Sequence, residues 1–199
     1  MAKTDQKIVY LIDSSTLPKG GASVGTATAV PHPKFYLNNE LQDGDTKVHV
    51  SQGDRIFIYT EEEKHLTSAA IAPNGIIAHS FNGTSLTVAT MKDAAKRPID
   101  IPNFDMDPGP APDFIGYQDG QGWQQTPSSW SNWPNNPLID QNLLPSQVRT
   151  YIPYVTFNAS TLVSGELVYG VVFGVARLDG KGGVNVEYFY FDPSIVIDA

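Results

Sequence analysis

The sequence predicts an all-β protein: an antiparallel β-sandwich with one long Pro/Asn/Trp-rich loop region and at most one short helix. Three observations predict it. Residues 167–197 (LVYGVVFGVARLDGKGGVNVEYFYFDPSIVI) read as two long strands about a glycine-rich turn, closed by Asp192-Pro193 and a short last strand. Several further runs alternate apolar and polar residues with turn signals at short spacing. Helical periodicity is confined to residues 91–97, which Pro98 ends. A chain of 199 residues, 41% hydrophobic and 17% charged, suits a single domain over 1–199 with a loop or cap insertion at 102–147.

Residues 7–13 (KIVYLID) are a β-branched and aromatic run and the expected first strand. Residues 16–30 are rich in Gly, Ala, Ser and Thr and read as a loop. Pro31 and Pro33 flank His32, so Phe35–Leu37 is expected to be a short edge strand. TKVHVS (46–51) places Val48 and Val50 on one face. DRIFIYT (54–60) places Ile56 and Ile58 on one face, with Arg55, Phe57 and Tyr59 on the other. The Gly53-Asp54 step between them makes either a hairpin or a corner that switches sheets. Residues 67–72 and 84–90 are further strand candidates, separated by turn signals at Asn74-Gly75 and Asn82-Gly83. Strands resume at 149–158. In the C-terminal ribbon 167–178 should pair with 184–191, with Phe189 and Phe191 in the core and Tyr188 and Tyr190 outside.

Residues 102–147 hold no lysine or arginine and all three tryptophans, Trp123, Trp130 and Trp133. A structureless loop of that length is unusual in a compact domain, so short strands are expected within it, as at 114–117. Tyr117, Asp119, Trp123, Trp130, Asn132 and Trp133 form a candidate site for a sugar or other small ligand: flat rings cover the apolar face of a sugar, and amides and carboxylates bond its hydroxyls. The alternative is that the tryptophans pin the loop to the sandwich. Ring burial decides between the two.

Net charge is −8 and the pI about 4.8, which argues against nucleic acid and anionic membrane surfaces as partners. With no cysteine, thiolate metal sites, disulfides and cysteine nucleophiles drop out. The four histidines, His32, His49, His65 and His79, share no i,i+2 or i,i+4 spacing, so no metal-binding pair is preformed. Asp105, Asp107 and Asp113 are spaced like a calcium loop but lack the EF-hand order, so an acidic surface loop is the favoured reading and no metal site is expected. There is no Gly-x-Ser-x-Gly elbow. The expectation is a non-catalytic protein without a cofactor. Outward aromatics on Tyr10, Phe57, Tyr59 and Tyr154 suggest a homo-oligomer formed through a sheet face or a sheet edge. The first residues lack a signal-peptide apolar region, and no apolar run reaches membrane-span length, so a cytoplasmic protein is expected, held as inclusions or released without a signal peptide.

Four blocks together resemble the AidA/PixA inclusion-body protein family. They are Ile8–Leu17 with its Ile-Asp-Ser step, Pro31-His32 followed by Phe35-Tyr36, Val48–Ile56 with Gly53-Asp54, and Tyr169-Gly170 with Phe173 ahead of the ending Tyr188–Ile195. They cover both ends of the chain and leave the middle unmatched. The resemblance implies a bacterial β-sandwich protein, quorum-regulated or stationary-phase, accumulating in some members as cytoplasmic crystalline inclusions; a stress-, density- or host-related accumulation or binding role is expected from it. It supplies no catalytic residue. One inclusion-forming member is methionine-rich, whereas this chain has 3 Met.

Overall fold

The computed structural model describes residues 3–19, 26–64, 69–86, 97–100, 114–118, 122–126, 154–178 and 184–199. Among them there is no helix, and the strands in chain order are β1 Asp5–Ile12, β2 Thr28–Ala29, β3 Phe35–Leu37, β4 Glu40–Gln42, β5 Val48–Ser51, β6 Arg55–Glu62, β7 Ala69–Phe81, β8 Thr84–Ser85, β9 Ile99–Asp100, β10 Phe114–Gln118, β11 Gly122–Thr126, β12 Val155–Ala159, β13 Gly165–Leu178, β14 Val184–Phe191 and β15 Ser194–Asp198. The short helix expected at 91–97 falls on 91–96, outside the described residues.

Two sheets pack face to face. The first runs β4-β3-β1-β6-β12-β9, and the second runs β11-β10-β7-β13-β14-β2, with β15 joining β13 to β5 and β8 flanking β7. Both are mixed, not purely antiparallel: β1 pairs β6, β15 pairs β5 and β14 pairs β2 in parallel. Parallel partners come from distant segments and leave no turn signal between them, which is why alternation in sequence suggested antiparallel pairing throughout. β3 is not an edge strand, because β4 lies outside it.

The Gly53-Asp54 step is a sheet-switching corner, with β5 in the second sheet and β6 in the first. Gly53 sits at φ 82, the left-handed region that glycine enters freely. Asp54, 3% exposed, ties the corner down. Its Oδ1 accepts from the Thr4 amide at 3.0 Å, and its Oδ2 accepts from the Ser51 amide and Gln6 Nε2, each at 3.0 Å.

β7 runs unbroken through Asn74-Gly75, where a turn was expected. Its pairing with β13 slips between Val172↔Gly75 and Phe173↔Pro73, so Asn74 is the extra residue of a bulge. A bulge needs the same permissive residues as a turn, and it also accommodates Pro73, which cannot donate to the ladder. Asn82-Gly83 is a true turn, with both residues at positive φ.

The C-terminal ribbon pairs as the sequence predicts, from Val171↔Phe191 to Leu178↔Val184. Phe189 and Phe191 are buried, and Tyr188 and Tyr190 half-buried. β13 lies between β7 and β14 and is buried on both faces: Leu167, Tyr169, Val171, Phe173 and Val175 face the other sheet, and Val172 and Ala176 lie on the opposite side. Rings of Tyr10, Phe35, Phe157, Tyr169, Phe173 and Phe191 fill the space between the layers.

Candidate interaction face

The first sheet turns Ile8, Tyr10 and Ile12 of β1, Ile56 and Ile58 of β6 and Phe157 of β12 into the core. Strand alternation then forces the neighbouring residues outward. Tyr10, expected outside, is 1% exposed because it shares the parity of Ile8 and Ile12. The other three aromatics singled out in the sequence do meet on the outer face. Phe57 and Tyr154 pack edge to face at 5.3 Å, and Tyr59 and Tyr154 are 5.6 Å apart.

These rings continue a row that sequence reading missed. Leu41 pairs with Tyr36, Tyr36 with Val9, and Val9 with Tyr59, whose ring meets Tyr154. The row therefore crosses β4, β3, β1, β6 and the start of β12. Leu41 is 55%, Tyr154 42% and Tyr36 36% exposed. Cations flank it: Lys7 Nζ lies 5.3 Å from the Tyr59 ring, and the Arg55 guanidinium lies 4.9 Å from the Phe57 ring while bonding both Asp5 oxygens. Burial, and then the Tyr154 ring beside it, raises the Tyr59 hydroxyl above its ordinary pKa. The missed signal lay in parity: once β1, β3 and β6 share a sheet, their outward residues line up, but the order of strands is not written in any one of them.

The residues proposed for a sugar site are reached only in part. The expected strand near 114–117 is β10, which forms a hairpin with β11 and joins the second sheet through Ile115↔Ile71 and Gly116↔Ala70. Tyr117 and Trp123 are register partners in that hairpin. Asp119, Trp130, Asn132 and Trp133 lie outside the described residues, as do Asp105, Asp107 and Asp113. Among the described residues no group of three or more acidic or histidine side chains could hold a metal ion.

Two polar clusters carry the residues of the family-like blocks. Beside the Ile12-Asp13-Ser14 step, the Ser14 amide and hydroxyl donate to Glu62 Oε1 at 3.2 and 3.0 Å, and Arg177 Nη2 donates to the Ser14 carbonyl at 2.9 Å while Nη1 pairs with Glu187. Ser14, Glu62 and Glu187 are buried, so this is a cross-layer tie between β13, β14 and the ends of β1 and β6. In the second cluster His79 is the extra residue of a further bulge in β7, between Ser80↔Val168 and Ala78↔Tyr169. Its Nε2 lies 3.1 Å from Asp192 Oδ1. A Cβ on Gly170 would sit 2.7 Å from that nitrogen, so Gly170 and Asp192 belong to one packing unit. His32–Asp45 and His49–Asp198 are similar surface pairs, each at 3.2 Å. Among the described residues no hydroxyl bonds any of these imidazoles, so none forms a nucleophile–base pair.

Fold and site together define a two-layer all-β protein whose most distinctive described surface is an aromatic face rather than an acid–base centre. No protein-family model matches the sequence, and no curated protein matches it. The structure is similar to the crystal structure of an inclusion body protein (PixA) from Burkholderia cenocepacia J2315, with a TM-score of 0.58 and 9% sequence identity over 100% of this chain and 98% of that one. At that identity the likeness is one of fold. Among the described residues no helix is long and apolar enough to cross a membrane.

Proposed function

We propose that this chain is a non-catalytic, single-domain PixA-like protein that accumulates in the bacterial cytoplasm by self-association, in response to cell density, stationary phase or a host. The observation that carries the reading is the end-to-end likeness to an inclusion body protein. The row Leu41–Tyr36–Val9–Tyr59–Tyr154 is its contact surface: aromatic rings such as the exposed Tyr36 and Tyr154 bury much area at little entropic cost.

Light scattering across a dilution series tests this. The parent chain should shift to dimers or larger species as concentration rises toward ~1 mM, and Tyr36→Glu with Tyr154→Glu should remain monomeric. A parent chain that stays monomeric throughout, or a variant that associates like the parent, removes the reading. A sugar- or small-ligand site on the middle segment is the second reading, supported by the cross-strand placement of Tyr117 and Trp123; a glycan array without a hit would dismiss it.

A further inference from the structure

Away from the aromatic row, the Gly53 corner, the start of β9 and the turn after β12 enclose a cleft of about 360 Å³, the size of a small-metabolite site. Its floor is apolar, made by Ile99 and Ala159, which are 1% and 2% exposed. Leu162, 71% exposed, stands at the rim. The polar lining is rich in donors. Lys3 and Arg97 bring the positive charges, and Asn158, Ser160 and Thr161 bring an amide and two hydroxyls.

The turn holds these groups in place. The Ser160 amide donates to the Pro98 carbonyl at 2.8 Å, and the Ala159 amide to the Asp54 carbonyl at 2.8 Å. Ser160 Oγ accepts from the amides of Leu162 and Val163 at 3.0 and 3.2 Å. With its lone pairs so engaged, the hydroxyl proton is left to donate. No carboxylate is among the described lining residues, in a chain with 21 acidic against 13 basic residues. Asp54 lies behind the corner with both oxygens committed to Thr4, Ser51 and Gln6.

We infer that this cleft binds a small organic anion, an oxyanion head on a short aliphatic body. Lys3, Ser160 and Asn158 donate to the head, and Ile99, Ala159 and Leu162 cover the aliphatic part. The charge is supplied by a carboxylate or a phosphate. The inference is independent of self-association, since the cleft shares no residue with the aromatic row.

Calorimetric titration with hexanoate, inorganic phosphate and hexanol tests it. Hexanoate should bind saturably with a Kd near or below ~1 mM, phosphate more weakly, and hexanol not at all. Amide shifts in NMR should centre on Asn158 to Leu162. Lys3→Glu and Thr161→Glu change exposed side chains that make no described hydrogen bond, and each should weaken hexanoate by about tenfold or more. Lys34→Glu, an equal charge change on an exposed residue outside the lining, should leave it unaltered. Saturable phosphate binding with none for hexanoate, lost in the same two variants, sustains the anion site and makes phosphate the head. Absence of saturable binding by both anions overturns the inference. So does equal binding of hexanol, or equal weakening by Lys34→Glu.

Discussion

Tyr10 and Tyr169 face each other across the two layers with their hydroxyls 3.3 Å apart, and both are essentially without solvent. Each phenol is the other's hydrogen-bond partner. Removing one hydroxyl therefore leaves the other buried and unsatisfied, whereas removing both leaves an apolar pair of the same shape. Tyr10→Phe or Tyr169→Phe alone should cost about 1–2 kcal/mol, and the double variant should return close to the parent. Urea unfolding of the four proteins at neutral pH checks this, and additive losses in the double variant would show that the two hydroxyls act independently and that their mutual hydrogen bond does not set the cost. The same residues show why Tyr10 is not a surface aromatic. Its ring lies 4.6 Å from that of Phe191 and 5.4 Å from that of Phe35, a core position that the strand parity of β1 dictates.

Among the elements, the corner between β5 and β6 is the joint on which the two-layer arrangement turns. Gly53, at φ 82, donates its amide to the carbonyls of Ala159 and Ser160, each at 3.2 Å, and Thr161 Cγ2 would lie 3.2 Å from an added Cβ. Gly53→Ala should therefore lower stability by about 1–2 kcal/mol through the left-handed backbone, with the urea slope unchanged because the surface exposed on unfolding is the same. A loss below a few tenths of a kcal/mol would mean that the corner relaxes to another conformation. The Gly-Asp step between two alternating runs marks a change of direction in the sequence but leaves hairpin and corner open, whereas the C-terminal ribbon with its inward Phe189 and Phe191 is legible outright. Local pattern carries such features because the residues that define them are adjacent in the chain. The bulge at Asn74 was read as a turn because both need a permissive residue, and only the partner strand β13 distinguishes them. The parallel pairing of β1 with β6, and the aromatic row that follows from it, depend on strand order, which no segment encodes alone. Of the candidate site, the rings of Phe57, Tyr59 and Tyr154 were legible by parity, while Tyr36 and Leu41 joined them only through the sheet.

For the whole molecule, the titrating groups set a pH window. On the acid side, the Arg55 guanidinium lowers the Asp5 carboxyl, Lys64 and then Ser15 lower that of Asp13, and Lys47 lowers that of Glu166, from ordinary values of 3.8, 3.8 and 4.5. A carboxyl lowered in the folded state stabilises fully above its unfolded value, and that contribution is lost as pH falls through the folded one. The Asp5 and Glu166 pairs are exposed at both partners and the Asp13 pair at its Lys64 end, so each term is small and screened by salt. On the alkaline side the sign reverses. Burial raises the Tyr10 and Tyr169 hydroxyls above their ordinary 10.0, so the folded state holds protons that the unfolded chain releases. Their contribution is complete below about pH 10 and is lost as pH rises beyond it. Urea midpoints measured from about pH 3 to 11 should form a plateau between roughly 5 and 9. The acid limb should flatten in Asp13→Asn, and the alkaline limb in the double variant Tyr10→Phe/Tyr169→Phe. The acid limb should also shrink in high salt, since its pairs face water, while the alkaline limb should not, since its tyrosines lie where salt cannot reach. An alkaline limb as steep in the double variant as in the parent would assign the loss to other groups and remove the tyrosine pair from the pH response.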